Sequence, residues 1–182
     1  MVRSSVPLLF GSTGETITEK AGNLNLGTAG VMYVGGICGV IFRKAGSFQL
    51  TAACLKIKTP LKDGDAVITP AFRLDNAKAI IHAVGPDFRV DADAYEELFA
   101  AYYNSLCVLR ENEYHSISFP LISSGIFSGK LKDPAGESAK QCVRAYKKFV
   151  SDYPDYDVDV KLCAYSSNEM AAAGEMLLNM EL

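Results

Sequence analysis

Apolar and polar positions follow two rhythms along this chain. In DADAYEELFAAYYNSLCVLREN (residues 91–112), Leu98, Tyr102, Leu106 and Leu109 recur every three or four positions. That spacing places them on one face of a helix, with Asp93 as its expected N-cap. PAGESAKQCVRAYKKFV (134–150) predicts a second helix, with Pro134 in the first turn, where its missing N–H costs nothing. SSNEMAAAGEMLLNMEL (166–182) predicts a closing helix. SFQLTAACLKIK (47–58) predicts another, with Ser47 as its N-cap and Leu50, Cys54 and Ile57 on one face. The spacing from Ile37 to Ala45 is also helical, ending at Gly46.

The second rhythm is the short apolar run. AVITPAF (66–72) and KAIIHAV (78–84) flank the polar link RLDNA, and their unbroken runs predict strands buried on both faces. YHSISFPLI (114–122) and YDVDVKLCAY (156–165) predict two more strands, and SVPLLFG (5–11) a short one. PLKDGD reads as a turn and residues 21–36, rich in Gly and Asn, as a loop. From Ser47 onward the order is helix, two strands, helix, strand, helix, strand, helix. Alternation of this kind predicts an α/β layer fold, in which ligands sit where the carboxyl ends of strands lead into loops and helices.

Composition narrows this picture. The 182 residues are 49% hydrophobic and 21% charged, with a net charge of −3, which fits one globular domain. The Lys and Arg residues form no basic stripe, so neither nucleic acid nor an anionic membrane is an expected partner. The five cysteines are odd in number and include no CxxC pair, so reduced, mostly buried thiols are expected rather than zinc or disulfides. The apolar run 31–42 falls short of the roughly 20 residues of a spanning helix. Residues 1–12 lack the features of a secretory signal. A soluble, cytoplasmic chain is expected.

Two loops could carry chemistry. Gly35-Gly36-Ile37-Cys38-Gly39 enters a predicted helix, whose free N–H groups suit an anion. Ser123-Ser124-Gly125-Ile126-Phe127-Ser128-Gly129 follows a predicted strand and offers small residues, hydroxyls and one ring. Facing each other, they would form a diphosphate clamp; taken singly, each is also compatible with a plain turn. His82, on an apolar strand, reads as core, and His115 as a surface residue. No metal cluster or nucleophile–base pair is visible, so catalytic residues are unassigned and no cofactor is implied.

Four blocks in order resemble the macrodomain family over about residues 35–182: GGICGVIFRKAG, DGDAVITPAFRL, AKAIIHAVGPDF and PLISSGIFSG. The resemblance implies a three-layer α/β/α fold with a central mixed sheet. It also implies ADP-ribose, or an ADP-ribosylated protein or small molecule, as ligand. Gly35, Gly36, Ile37 and Cys38 would offer N–H groups to the diphosphate. Ser123, Ser124, Gly125, Ile126 and Phe127 would close the other side, with Phe127 against the distal ribose. Tyr165 falls either beside the adenine or as a half-buried strand-end tyrosine.

The match departs from the family in places. Asn25–Thr28 (NLGT) stands where N-A-A-N is usual, so Asn25 and Thr28 would take the ribose-loop positions, unless Asn23–Asn25 supplies the Asn. ETIT (15–18) represents the usual G-D-I-T, keeping Ile17 and Thr18 but placing Thr16 at the Asp position. Cys38 and Phe42 occupy the Asp and His positions of one hydrolase class, Tyr33 and Val34 replace glycines, and so does Ser128. Three functions therefore stay open: hydrolysis of ADP-ribosyl esters or O-acetyl-ADP-ribose, ADP-ribose reading without turnover, and a fold whose first loop no longer binds. Residues 1–34 look more like the start of a nucleoside or sugar ABC importer permease, most closely at Thr18–Gly27 (TEKAGNLNLG). No further membrane segment follows, so transport is not expected. The chain is read as a single macrodomain with an atypical segment at 1–34.

Overall fold

The computed structural model describes residues 41–58 and 60–180. The expected strand at 5–11, the Gly/Asn loop and the start of the helix from Ile37 lie outside the described residues. The chain divides into two compact units, one taking the chain up to Lys62 with Val67–His82, the other Asp63–Ala66 with everything from Ala83.

In the first unit, residues 41–45 are helical and Gly46 turns the chain at φ +93° into helix α1 (Ser47–Cys54). Ser47 is not its N-cap. Gly46 holds that position, and the Ser47 hydroxyl donates backwards to the Phe42 carbonyl at 3.4 Å. Leu50 is fully buried, while Cys54 and Ile57 are half-buried. Strands β1 (Ala66–Pro70) and β2 (Ala79–Ala83) form a hairpin. At its turn the Ala71 N–H donates to the Lys78 carbonyl at 3.3 Å, and the Arg73 N–H to the Ala45 carbonyl at 3.2 Å. These strands are mostly half-buried rather than enclosed on both faces; only Thr69 is buried. Their apolar runs match the interior of a sheet without requiring full burial.

The second unit contains helix α2 (Tyr95–Glu111), strand β3 (Ser116–Pro120), helix α3 (Pro134–Asp152), strand β4 (Asp159–Cys163) and helix α4 (Ser167–Asn179). The face of α2 expected to be buried is buried: Leu98, Tyr102, Leu106 and Leu109 are each at most 2% exposed. Each such side chain contributes about 1.5–3 kcal/mol. Asp93 does not cap α2; Ala94 is at that position, and the Asp93 carbonyl accepts from the Tyr95 N–H instead. In α3 the Asp133 carboxylate accepts from the Gly136 N–H at 2.9 Å, with Pro134 in the first turn as expected. The α4 start is a capping box in which Ser166 and Glu169 each bind the other's backbone.

Strands β3 and β4 pair in parallel, from Ser116 opposite Asp159 to Pro120 opposite Cys163. Helix α3 connects them, packing against α2 and α4. Alanines at 135, 139 and 173 let α3 and α4 close on Leu121. Gly174 lies in mid-helix on α4, and a methyl group there would meet nothing within 4 Å. Gly174→Ala should therefore raise stability by about 1 kcal/mol through helix propensity alone. Chemical denaturation should show a higher midpoint at unchanged slope; a lower midpoint would contradict the open space seen here.

Candidate functional site

Because β3 and β4 run in parallel and end in register, the loops after Pro120 and Cys163 leave from the same edge of the pair. This is the edge at which α/β sheets bind ligands. Loop 121–129 starts under tight control. The Ile122 N–H donates to the Tyr102 hydroxyl at 2.9 Å, and the Ser138 hydroxyl donates to the Ile122 carbonyl at 2.7 Å. Tyr102 and Ser138 are themselves 2.7 Å apart. With Tyr102 donating to Ser138, the three groups form a closed ring in which every proton has an acceptor. Tyr102 and Ser138 are both fully buried, and burial pushes the Tyr102 phenol well above its ordinary pKa. The ring is thus neutral and permanently protonated at physiological pH.

Beyond Ile122 the backbone turns sharply. Ser123 adopts φ +57°, an uncommon conformation for a residue with a Cβ, and its hydroxyl donates to the Pro86 carbonyl at 2.8 Å. The Ser124 hydroxyl bends back to the Leu121 carbonyl at 2.9 Å. A short 3-10 turn, Ile126–Ser128, follows, closed by the Ser128 N–H on the Gly125 carbonyl at 3.0 Å. Among the described residues, the backbone N–H groups of Gly125 and Ile126 find no partner. They are donors of the kind that suits an anionic ligand.

Segment 85–89 forms a wall along this loop. A Cβ on Gly85 would lie 2.4 Å from Ile122 and 2.5 Å from the Ser123 hydroxyl, so the close approach needs glycine there. The Phe88 N–H donates to the Phe127 carbonyl at 2.9 Å. Arg89 places its guanidinium 5.0 Å from the centre of the Phe127 ring, while it forks onto Asp87 with contacts of 2.6 and 2.8 Å. That fork holds the Asp87 carboxyl below its usual range. At the far end Gly129 has φ +57° and ψ −120°, and the Leu131 N–H closes on the Ser128 carbonyl at 3.0 Å. These are the marks of a type II′ turn with Gly129 at its first central position.

Tyr165 follows β4 at the same edge as the loop and is 80% exposed, so it is not a half-buried strand-end residue. Its N–H is held by the Glu169 carboxylate at 2.8 Å. An apolar cavity of about 270 Å³ lies between β4 and α4, bordered by Leu121, Leu162 and Ala164 on one side and Met170, Ala173 and Leu177 on the other. It lacks polar side chains to orient a ligand, and we read it as packing space. His82 shares a 2.8 Å hydrogen bond with Thr69 across the hairpin, and burial lowers its pKa. It lies on a strand as expected, but it is half-buried rather than a core residue. His115 is exposed and stacks on Tyr156 at 4.7 Å. Of the described cysteines, Cys142 is buried, Cys54 and Cys107 are half-buried, and Cys163 is exposed. Burial pushes the Cys142 thiol up to about 12, which leaves it unreactive. Among the described residues no cluster of His, Cys, Asp and Glu could hold a metal, and no helix is long and apolar enough to cross a membrane.

The sequence-predicted residues Ser123, Ser124, Gly125, Ile126 and Phe127 thus lie together in one constrained loop. Ile17, Asn25, Thr28, Gly35, Gly36, Ile37 and Cys38 lie outside the described residues. Sequence reasoning did not single out Gly85, Asp87, Arg89 or Ser138, and it took Tyr102 only as a core residue. The stretch GPDFR, immediately after the apolar run of β2, was the available signal: a turn followed by an acid and a base two positions apart.

Comparison with known proteins fits this geometry. The sequence matches the Macro domain family over residues 13–139. The match begins before residue 35, so residues 13–34, expected to be a permease-like segment, fall within the family match. A Fusobacterium nucleatum protein of uncharacterised role is 35% identical over 155 residues, covering 85% of this chain and 84% of its own. The O-acetyl-ADP-ribose deacetylase of Salmonella typhimurium is 38% identical over 134 residues, covering 71% of this chain and 72% of its own. Among solved structures, the Oceanobacillus iheyensis macrodomain with ADP aligns with a TM-score of 0.67 at 29% identity, over 78% of this chain and 74% of that one. The α/β architecture expected from the sequence is that of the macrodomain, and the chain belongs to the Macro domain family.

Proposed function

We propose that this chain binds ADP-ribose at loop 121–129 and hydrolyses acyl esters of its distal ribose, O-acetyl-ADP-ribose or an ADP-ribosylated side chain being the substrate class. The observation that carries the reading is the loop itself. It leaves the carboxyl edge of a parallel strand pair, presents the N–H groups of Gly125 and Ile126, and ends in a ring, Phe127, fixed by its neighbours. Backbone donors aimed at a diphosphate neutralise its charge without reorganising, because the Tyr102–Ser138 ring fixes where the loop begins. Likeness to a deacetylase of O-acetyl-ADP-ribose supports the choice of ester. In that reaction water adds to the ester carbonyl, the ribose hydroxyl leaves, and ADP-ribose and a carboxylic acid are released. The family resemblance further assigns Gly35, Gly36, Ile37 and Cys38 to the diphosphate, Asn25 or Thr28 to the ribose, Tyr165 to the adenine and Ile17 to the ligand contacts, and these assignments belong to the same proposal.

A second reading is a binding module without turnover. It is favoured by Asp87, the carboxylate on the segment that walls the loop. Held by Arg89 and shifted below its usual range, Asp87 is a poor general base.

Calorimetric titration with ADP-ribose, with AMP as control, tests the binding. Tight binding of ADP-ribose and weak binding of AMP is the expected result, and no binding of either would sink the proposal. Acetate release from O-acetyl-ADP-ribose then separates the hydrolase from the reader.

A further inference from the structure

We propose that Asp87 and Arg89 are positioning residues for the ligand, acting by holding the Phe127 ring in place over the far end of loop 121–129. The inference rests on the proposed function and on the place against the distal ribose that the family resemblance implies for Phe127.

Three contacts tie segment 85–89 to the loop through its backbone: Pro86 to the Ser123 hydroxyl, Phe88 to the Phe127 carbonyl, and Phe88 against Gly129. They fix the main chain of Phe127 but leave its ring free to rotate about its side-chain bonds. Arg89 supplies the missing restraint. Its guanidinium lies 5.0 Å from the ring centre, within the range of a cation–π contact. A long Arg side chain would not hold a ring by itself, since it carries large rotamer freedom. Here it is locked. Its Nε and a terminal nitrogen fork onto the two Asp87 oxygens, and the Arg89 N–H binds the same carboxylate at 2.9 Å. Asp87 is thus bound three ways by one residue, a closed local clamp. The Arg89 side chain remains 44% exposed, so the clamp adds little to the core and can be removed without unfolding the chain. With its charge engaged by Asp87, Arg89 acts on the ligand through Phe127 rather than as an anion receptor.

The test is calorimetry with ADP-ribose and AMP on the full chain and four variants: Arg89→Ala, Arg89→Lys, Phe127→Ala and the double variant Arg89→Ala/Phe127→Ala. Arg89→Ala should weaken ADP-ribose about three- to fivefold, the size of an exposed cation–π contact, and leave AMP, which lacks the distal ribose, unchanged. Arg89→Lys should restore little, because an ammonium cannot make the fork onto Asp87. In the Phe127→Ala background, Arg89→Ala should have no further effect. The proposal is overturned by equal effects on ADP-ribose and AMP, by full rescue with lysine, by an undiminished effect of Arg89→Ala without the ring, or by no effect at all. If the unaltered chain binds no ADP-ribose, the proposed function fails first and takes this inference with it. If it binds and Arg89→Ala is neutral, only the inference fails.

Discussion

Gly129→Ala should abolish tight ADP-ribose binding and destabilise the protein, even though it adds a single methyl group. Gly129 sits at φ +57°, ψ −120°, a conformation that L-residues rarely adopt, and forcing alanine there costs about 1–3 kcal/mol in backbone strain. Space is the second obstacle. The new Cβ would lie 2.4 Å from the Phe88 carbonyl oxygen and 2.9 Å from the Arg89 nitrogen, and both neighbours are backbone. The loop and segment 85–89 must therefore part, which breaks the Phe88–Phe127 hydrogen bond and moves the ring away from Arg89. ADP-ribose affinity should fall at least about tenfold, or about 1.4 kcal/mol. Gly174→Ala is the matched control: the same chemical change, in open helical space, with the opposite expected sign. Denaturation midpoints and titrations on the two variants together check the argument. A tight-binding, fully stable Gly129→Ala would mean that the II′ turn is not needed for the site.

Tyr102→Phe should cost about 1–3 kcal/mol and lower the melting temperature by roughly 2–12 °C. The ring of Tyr102 packs edge-on to Phe119 at 5.1 Å, and phenylalanine keeps that contact and nearly the same volume. What it loses is the hydroxyl. The Ile122 N–H then has no acceptor, and Ser138 loses the donor on its oxygen while still facing the Ile122 carbonyl. A part-buried donor left without its partner adds a desolvation cost to the lost bond, so the effect exceeds that of an ordinary hydrogen bond. Calorimetric melting checks the stability, and ADP-ribose affinity should fall with it because the loop loses its fixed origin. Unchanged melting would mean that the hydroxyl, its 3.2 Å contact with the Pro120 carbonyl included, adds nothing to stability.

The order of helices and strands from Ser47 onward was legible because each element repeats its signal along several turns or residues. Leu98, Tyr102, Leu106 and Leu109 announce one helix face four times over. The caps were not equally legible. Ser47 and Asp93 are suitable residue types one position from the true helix boundary, but capping depends on backbone angles that composition does not encode. Loop 121–129 was found from its small residues and its likeness to a family motif. Its supports were missed for a different reason. Tyr102 lies 20 residues from Ile122 and Ser138 lies 16, so no local pattern joins them. A buried tyrosine on an amphipathic face looks the same whether its hydroxyl is incidental or holds a loop.

The closed ring at Ile122 has a consequence for how this molecule breathes. Binding loops are usually among the least protected parts of a fold, opening locally without the rest. Here the entrance to the loop shares its hydrogen bonds with the middle of α2 and the first turns of α3, so it cannot fray unless the packing of those two helices is lost. Local opening is confined to the stretch from Ser123 to Gly129, and there it must first break the contacts to segment 85–89.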